Sequence, residues 1–345
     1  MHRRRIRSRI ATSGAALIAT LVVSSAAFAV APPSFDYATP LFGLTAGHGN
    51  RLLVADAGAG IVELHRGSAT MIAELPGVTD VAPTRRGLWA LTTLPDGHLY
   101  RMGGDGIMRA VADIGGFEAR VNPDEGEIDS NPFDLAKHGK RRVLVADAAA
   151  NALLIASRHG RVDWVATLPN ELVPTDNAKL IAGCPDPAPD LAFVCDLPDQ
   201  IPAQPVTTSV AVGPDGAYYL SELKGFPAPL GESQIWRIER GTRHARCGSS
   251  PACTVVADGF TSIVDITFGR DGSLHVVELD EASWLAVEFG GSVGGTVNTC
   301  AWGTWACTET ATELPMPIAA DEGRHGRLFV AIWALVPGQA QVIEV

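Results

Sequence analysis

Along most of the chain, apolar and polar positions alternate with a period of two, and one phrase recurs six times. A short apolar segment runs into a turn that usually carries Gly or Asp, and an apolar strand then closes on a small or polar residue. Two copies align without a gap: Ser209-Val-Ala-Val-Gly-Pro-Asp-Gly-Ala-Tyr-Tyr-Leu-Ser-Glu222 and Asp265-Ile-Thr-Phe-Gly-Arg-Asp-Gly-Ser-Leu-His-Val-Val-Glu278. The same spacing of 13 joins Gly43 to Asp56, Asp80 to Thr93, Asp134 to Asp147 and, most degenerately, Ala319 to Ile332. Alternation about a tight Gly-bearing turn predicts a β-hairpin in each copy.

Two further strands follow the hairpin in most copies, as in Gln234-Ile-Trp-Arg-Ile238 with Thr254-Val-Val-Ala257. Four-stranded units that are apolar on both faces bury those faces only by stacking around an axis. The predicted fold is therefore all-β: a six-bladed β-propeller of four-stranded blades. The last copy ends at Val345 without its outer strand, so Phe35 to Leu41 is expected to supply that strand and close the ring.

Ahead of the repeats, residues 1–29 read as a signal peptide. Five arginines precede the uncharged stretch Ile10 to Val23, and Ala27-Phe28-Ala29 has the small-x-small form of a cleavage site. Cleavage there would leave residues 30–345 as the exported propeller, secreted or otherwise extracytoplasmic and with no membrane association. It removes five arginines, so 22 basic side chains face 38 acidic ones and the net charge becomes −16. That balance argues against nucleic acid as a partner and favours a small molecule, a cation or another exported protein, with the chain itself a monomer.

The six cysteines fall in three close pairs, Cys184 with Cys195, Cys247 with Cys253 and Cys300 with Cys307. Export and tight pairing favour three local disulfides over the other connectivities. Cys184 and Cys195 staple the one long insertion, residues 170–205. It is expected to emerge beside the channel mouth, either capping it or lying as a surface excursion.

Several segments together carry a family resemblance: Ser130-Asn-Pro-Phe-Asp134, Val143-Leu-Val-Ala-Asp-Ala148, Thr208-Ser-Val-Ala-Val-Gly-Pro-Asp-Gly216, Glu222-Leu-Lys-Gly-Phe-Pro227 with Ile235-Trp-Arg-Ile238, and Ala257-Asp-Gly-Phe-Thr-Ser-Ile-Val-Asp265. The chain resembles the ScyD/ScyE family of exported propellers, which implies the fold but no catalytic residue. At fold level the hairpins are also similar to NHL and SMP-30/gluconolactonase propellers, the latter calcium-dependent lactonases.

Equivalent repeat positions meet at one end of a propeller channel. Asp80, Asp134, Ser209 and Asp265 are expected around the mouth, with Asp56, Asp147, Glu222 and Glu278 in an outer circle. Converging carboxylates raise one another's pKa unless a cation neutralises them, so a calcium ion (Ca2+) is a candidate, with Asn131 adding an amide oxygen. The competing reading is structural, an Asp accepting backbone N–H groups to tie adjacent blades.

Trp302 and Trp305, inside the Cys300–Cys307 loop, would either grip a ligand or pad a hairpin tip. His48, His138 and His325 fall in turns at the opposite rim. No Walker, His-Glu-x-x-His or Rossmann pattern is present. The leading expectation is a ligand-binding or scaffold protein, and the alternative is a calcium-assisted lactonase or related hydrolase.

Overall fold

A computed structural model describes residues 35–47, 49–93 and 97–345. The signal-peptide reading of residues 1–29 and the placement of His48 lie outside them. Six of the seven sheets formed by the described strands are blades that follow one another in chain order, and their innermost strands are Leu41–Ala46, Val78–Thr84, Pro132–His138, Thr207–Val212, Ile263–Phe268 and Ala319–Glu322. Each innermost strand contacts the next, and the last contacts the first, so the six blades close around a common channel. The fold is a six-bladed β-propeller. No helix among the described residues is long and apolar enough to cross a membrane.

Blades 1, 2, 4 and 5 are four-stranded antiparallel meanders. Blade 3 gains a fifth strand, because Ala245–Arg246 leaves blade 4 and pairs in parallel with Val162–Thr167, the outer strand of blade 3. Blade 6 has three strands, ending at Gln341–Glu344. The N-terminal segment thus joins blade 6 in a different form from the expected outer strand. Residues 35–40 make no strand pairing; the Leu41 amide donates to the Ala334 carbonyl at 2.8 Å, and Tyr37 is buried in the apolar cluster shared by blades 1 and 6.

Apolar side chains fill the spaces between blades, as the two-faced alternation requires. Leu144, Leu153 and Ile155 pack with Tyr218, Leu220 and Trp236 between blades 3 and 4. Ala211, Tyr219 and Ile235 pack with Ile263, Ile266 and Val276 between blades 4 and 5. All six cysteines are paired as the sequence suggested, Cys184–Cys195, Cys247–Cys253 and Cys300–Cys307. Such bonds form and persist in oxidising, extracytoplasmic compartments.

In the first five blades the pairing of the two innermost strands is interrupted at the same place. The register slips between Leu41 and Gly43, Val78 and Asp80, and Ile263 and Asp265, with matching slips in blades 3 and 4. A bulge of this kind re-aims one side chain. Asp265 therefore stands opposite Val277, and Ile263 takes the place opposite Glu278.

The insertion does emerge on the rim where the innermost strands begin. Its hairpin, Glu171–Pro174 with Gln200–Ala203, encloses the helices Asp176–Ala182 and Ala192–Cys195. Ala178, Ala182 and Val194 pack on Ala228 and Leu285, and Asn177 Nδ2 donates to the Ala228 carbonyl at 2.7 Å and to Ser283 Oγ at 2.9 Å. It is fastened over blades 4 and 5, and none of its residues lines the channel.

Gly43 occupies the blade 1 position equivalent to Asp80, and it is glycine because blade 2 leaves no room. A Cβ there would lie 2.4 Å from Asp80 Oδ1 and 2.7 Å from the Thr79 carbonyl oxygen. Gly43→Ala should destabilise the protein by about 1–3 kcal/mol. Gly47→Ala, whose Cβ would meet Arg51 at an ordinary 3.5 Å, should leave the thermal midpoint unchanged. Equal midpoints for the two variants would contradict the close-approach account.

Candidate functional site

The central channel holds a cavity of about 240 Å³ lined by the six innermost strands. Asp80, Asp134 and Asp265 all reach it. Ser209 lies between them, fully buried, and contacts both Asp134 and Asp265. Four of the expected mouth residues are therefore brought together.

What they bind is the neighbouring blade. Asp80 Oδ2 accepts the Leu135 amide of blade 3 at 3.2 Å, and Asp134 Oδ2 accepts the Val210 amide of blade 4 at 2.6 Å. Ser209 Oγ accepts the Ile266 amide of blade 5 at 3.1 Å, and Asp265 Oδ2 accepts the Ala320 amide of blade 6 at 2.7 Å. Each acceptor thus takes the amide one residue past the equivalent position in the following blade. Blade 6 has Ala319 at that position, and Asp321, two residues on, replaces it by accepting the Ala46 amide of blade 1 at 2.7 Å. Between blades 1 and 2 the Thr45 hydroxyl donates to the Val81 carbonyl at 2.7 Å.

The carboxyls also touch one another. Burial, and then the charge of Asp134 and a hydrogen bond with it, raise the Asp80 pKa well above the usual carboxylate range. Burial and the Asp134 charge raise Asp265 likewise. Ser209 Oγ bridges Asp134 Oδ2 at 2.6 Å and Asp265 Oδ1 at 2.9 Å. With protons on Asp80 and Asp265, every donor in this chain meets an acceptor, Asp134 being the common one.

The outer circle is buried as well. Asp147 accepts the Ser130 hydroxyl at 2.6 Å and the Asn131 amide at 2.7 Å, and burial lifts its pKa to about 6. Asn131 Oδ1 accepts the Thr93 hydroxyl at 2.5 Å. Glu222 is wholly buried, paired with Lys224 Nζ at 2.5 Å and accepting the Trp236 indole N–H; burial lifts it to about 7. Glu278 accepts the Thr261 amide and Asn298 Nδ2, and burial lifts it to about 7. Asp56 accepts the Ala38 amide at 2.7 Å.

Among the described residues no group of three or more His, Cys, Asp or Glu side chains is placed to hold a metal ion. The oxygens that calcium would need face amide and hydroxyl donors instead, so the donor set does not fit the ion. Trp302 and Trp305 pad a hairpin tip, packed edge-on with each other and against Tyr219. Trp302 remains 39% exposed.

Two features escape the sequence reading. Asp321 is displaced from the repeat register. Glu118, on the helix Gly115–Val121, is buried with neither carboxyl oxygen hydrogen-bonded; burial, then the charge of Asp147, pushes its pKa to about 7. No local pattern marks it. Lys224, two residues after Glu222, is also bound to Glu171 Oε2 at 2.5 Å and is fully buried beneath the insertion.

No protein-family model matches the chain, and no curated protein matches it. Solved structures match at fold level. Virginiamycin B lyase from Staphylococcus aureus superposes with a TM-score of 0.53 at 14% identity, covering 92% of this chain and 87% of the lyase. A gluconolactonase from Xanthomonas campestris gives 0.55 at 11% identity, covering 90% and 88%. A putative glucose dehydrogenase from Thermus thermophilus gives 0.54 at 15% identity, covering 91% and 98%. These likenesses define the class, a β-propeller, and at such identities they carry the fold alone.

Buried carboxyls with raised pKa values bind protons more tightly when folded than when unfolded. Their stabilising contribution is complete below pH 4 and is lost as pH rises through the folded-state values, about 6 to 7 for Asp147, Glu222 and Glu278. The thermal midpoint should therefore fall between pH 5 and pH 8. Asp80→Asn, which keeps the shape and removes the like charge, should raise the midpoint at pH 8 and flatten that slope. Asp134→Ala should cost about 2–4 kcal/mol, because it strands the buried Val210 amide and breaks the Ser209 bridge to Asp265. A midpoint that climbs steadily from pH 5 to pH 8 would overturn the protonated-ring account.

Proposed function

We propose that this chain is an exported ligand-binding or scaffold propeller of the ScyD/ScyE type, which recognises a small molecule or another exported protein and not nucleic acid. One observation carries the reading: the acids at the channel mouth are already engaged by amide and hydroxyl donors of neighbouring blades. A calcium-assisted lactonase of the SMP-30 kind needs an open coordination position beside a free carboxylate. Here the carboxylates serve as clasps. The lyase and lactonase activities of the structural neighbours belong to those proteins, and the same scaffold carries both.

The test is calcium titration of the purified protein, followed by calorimetry and thermal melting, with sugar-lactone hydrolysis assayed in parallel. Neither a saturable heat nor a midpoint shift is expected, and lactone turnover should equal the buffer rate. A saturable calcium heat that Asp80→Asn abolishes, together with calcium-dependent lactone turnover, would install the hydrolase in place of the binding protein.

A further inference from the structure

The proposal concerns the opposite rim, where the innermost strands end. Between the hairpin tips of blades 3 and 4 runs a groove of about 430 Å³. Lys137, Lys140, Arg141 and Arg142 line it from blade 3 and Arg240 from blade 4, with His138 among them. No acidic residue lines it.

None of these five cations makes an ion pair within the described residues. Lys137 Nζ donates to an uncharged acceptor, the Pro83 carbonyl, at 3.0 Å. Neighbouring arginines behave differently: Arg237 pairs with Asp215 at 2.8 Å and Glu239 at 2.6 Å, and Arg243 with Asp163 at 3.6 Å. Acidic partners are abundant in a chain with 38 acids against 27 Lys and Arg, so five unpaired cations around one depression are an uncompensated charge. Their mutual repulsion is a standing cost that a bound anion would relieve. Independently, burial and then the charges of Arg142, Arg240 and Arg243 hold the His138 imidazole below its usual pKa.

We infer that this groove binds a small molecule bearing two or more oxyanion groups. Three guanidinium forks suit paired oxyanion oxygens. The volume lies in the range of small-ligand sites. The enclosed volume suits a compact ligand better than a long polyanion. Among the described residues the only aromatic against His138 is Tyr218, whose ring is buried and offers no stacking face. Lys137 and Val212 line both this groove and the central channel, so a ligand held on Lys137 sits at the lower channel mouth. The inference places a ligand on the binding protein proposed above, yet it uses none of the upper-mouth acids, and the two fail separately.

The experiment uses inorganic pyrophosphate and citrate as probes on the full exported chain, by calorimetry at about 50 and 300 mM NaCl. Saturable one-to-one binding is expected for at least one probe, weakened roughly tenfold or more at the higher salt. Arg142→Gln/Arg240→Gln, both exposed, should abolish binding without moving the thermal midpoint, and Arg66→Gln/Arg85→Gln, outside the groove, should leave it intact. The His138 ring, followed by NMR, should titrate at higher pH when the probe is bound. Absence of saturable binding by the folded wild type would overturn the proposal, as would equal loss in the two double variants. So would a salt-sensitive dimer disrupted by Arg142→Gln/Arg240→Gln, because the groove would then be filled by the acidic surface of a second copy.

Discussion

In blades 3 to 6 a backbone amide near the start of the innermost strand donates to the preceding blade, in blade 1 the Ala46 amide at the strand's end does so, and buried amides left without an acceptor are costly. Meeting that demand organises the channel. Asp80, Asp134, Ser209 and Asp265 each reach one blade forward to supply the acceptor, and Asp321 does so across the closure to blade 1. Apolar packing holds the blade faces together but does not by itself fix their stagger. The directional bonds of this ring do, and the strand bulges beside them point the side chains inward to make it possible.

A ring of acceptors drawn from carboxylates brings like charges together, which is the cost of the arrangement. Ser209 separates Asp134 from Asp265, and burial with mutual charge keeps Asp80 and Asp265 well above the usual carboxylate range. Blade 1 needs no acid at all, since Gly43 lets Asp80 approach to the backbone itself. The acidic mouth is thereby a sharing of protons among structural groups, and a cluster of unpaired cations lies at the other end of the channel.

Much of this architecture was legible in the sequence because propeller blades repeat, and positions alike in register meet around the axis. The shared register of Asp80, Asp134, Ser209 and Asp265 points to one end of the channel, where the structure brings their side chains together. Whether such acids bind a cation or an amide depends on where the next blade's N–H groups point, and spacing along one strand does not encode it. Asp321 was missed because the last repeat shifts its acceptor by two residues. The basic groove was missed because Arg240 meets the Lys137 to Arg142 run only after blades 3 and 4 pack. The outer strand expected from the N-terminus failed to register for a related reason: a few residues with Pro40 and buried Tyr37 satisfy closure through one amide and one ring.

The crossover strand Ala245–Arg246 belongs in sequence to blade 4 and in hydrogen bonding to blade 3, and Cys247–Cys253 ties its end back to the outer strand of blade 4. Neither blade can open at its periphery without breaking into the other. Local unfolding events that in other parts of the ring would involve a single sheet must here engage two sheets as one cooperative unit. The walls of the basic groove are built from those same two sheets, so the spacing of its guanidinium groups is set by a pair of blades that the crossover ties together.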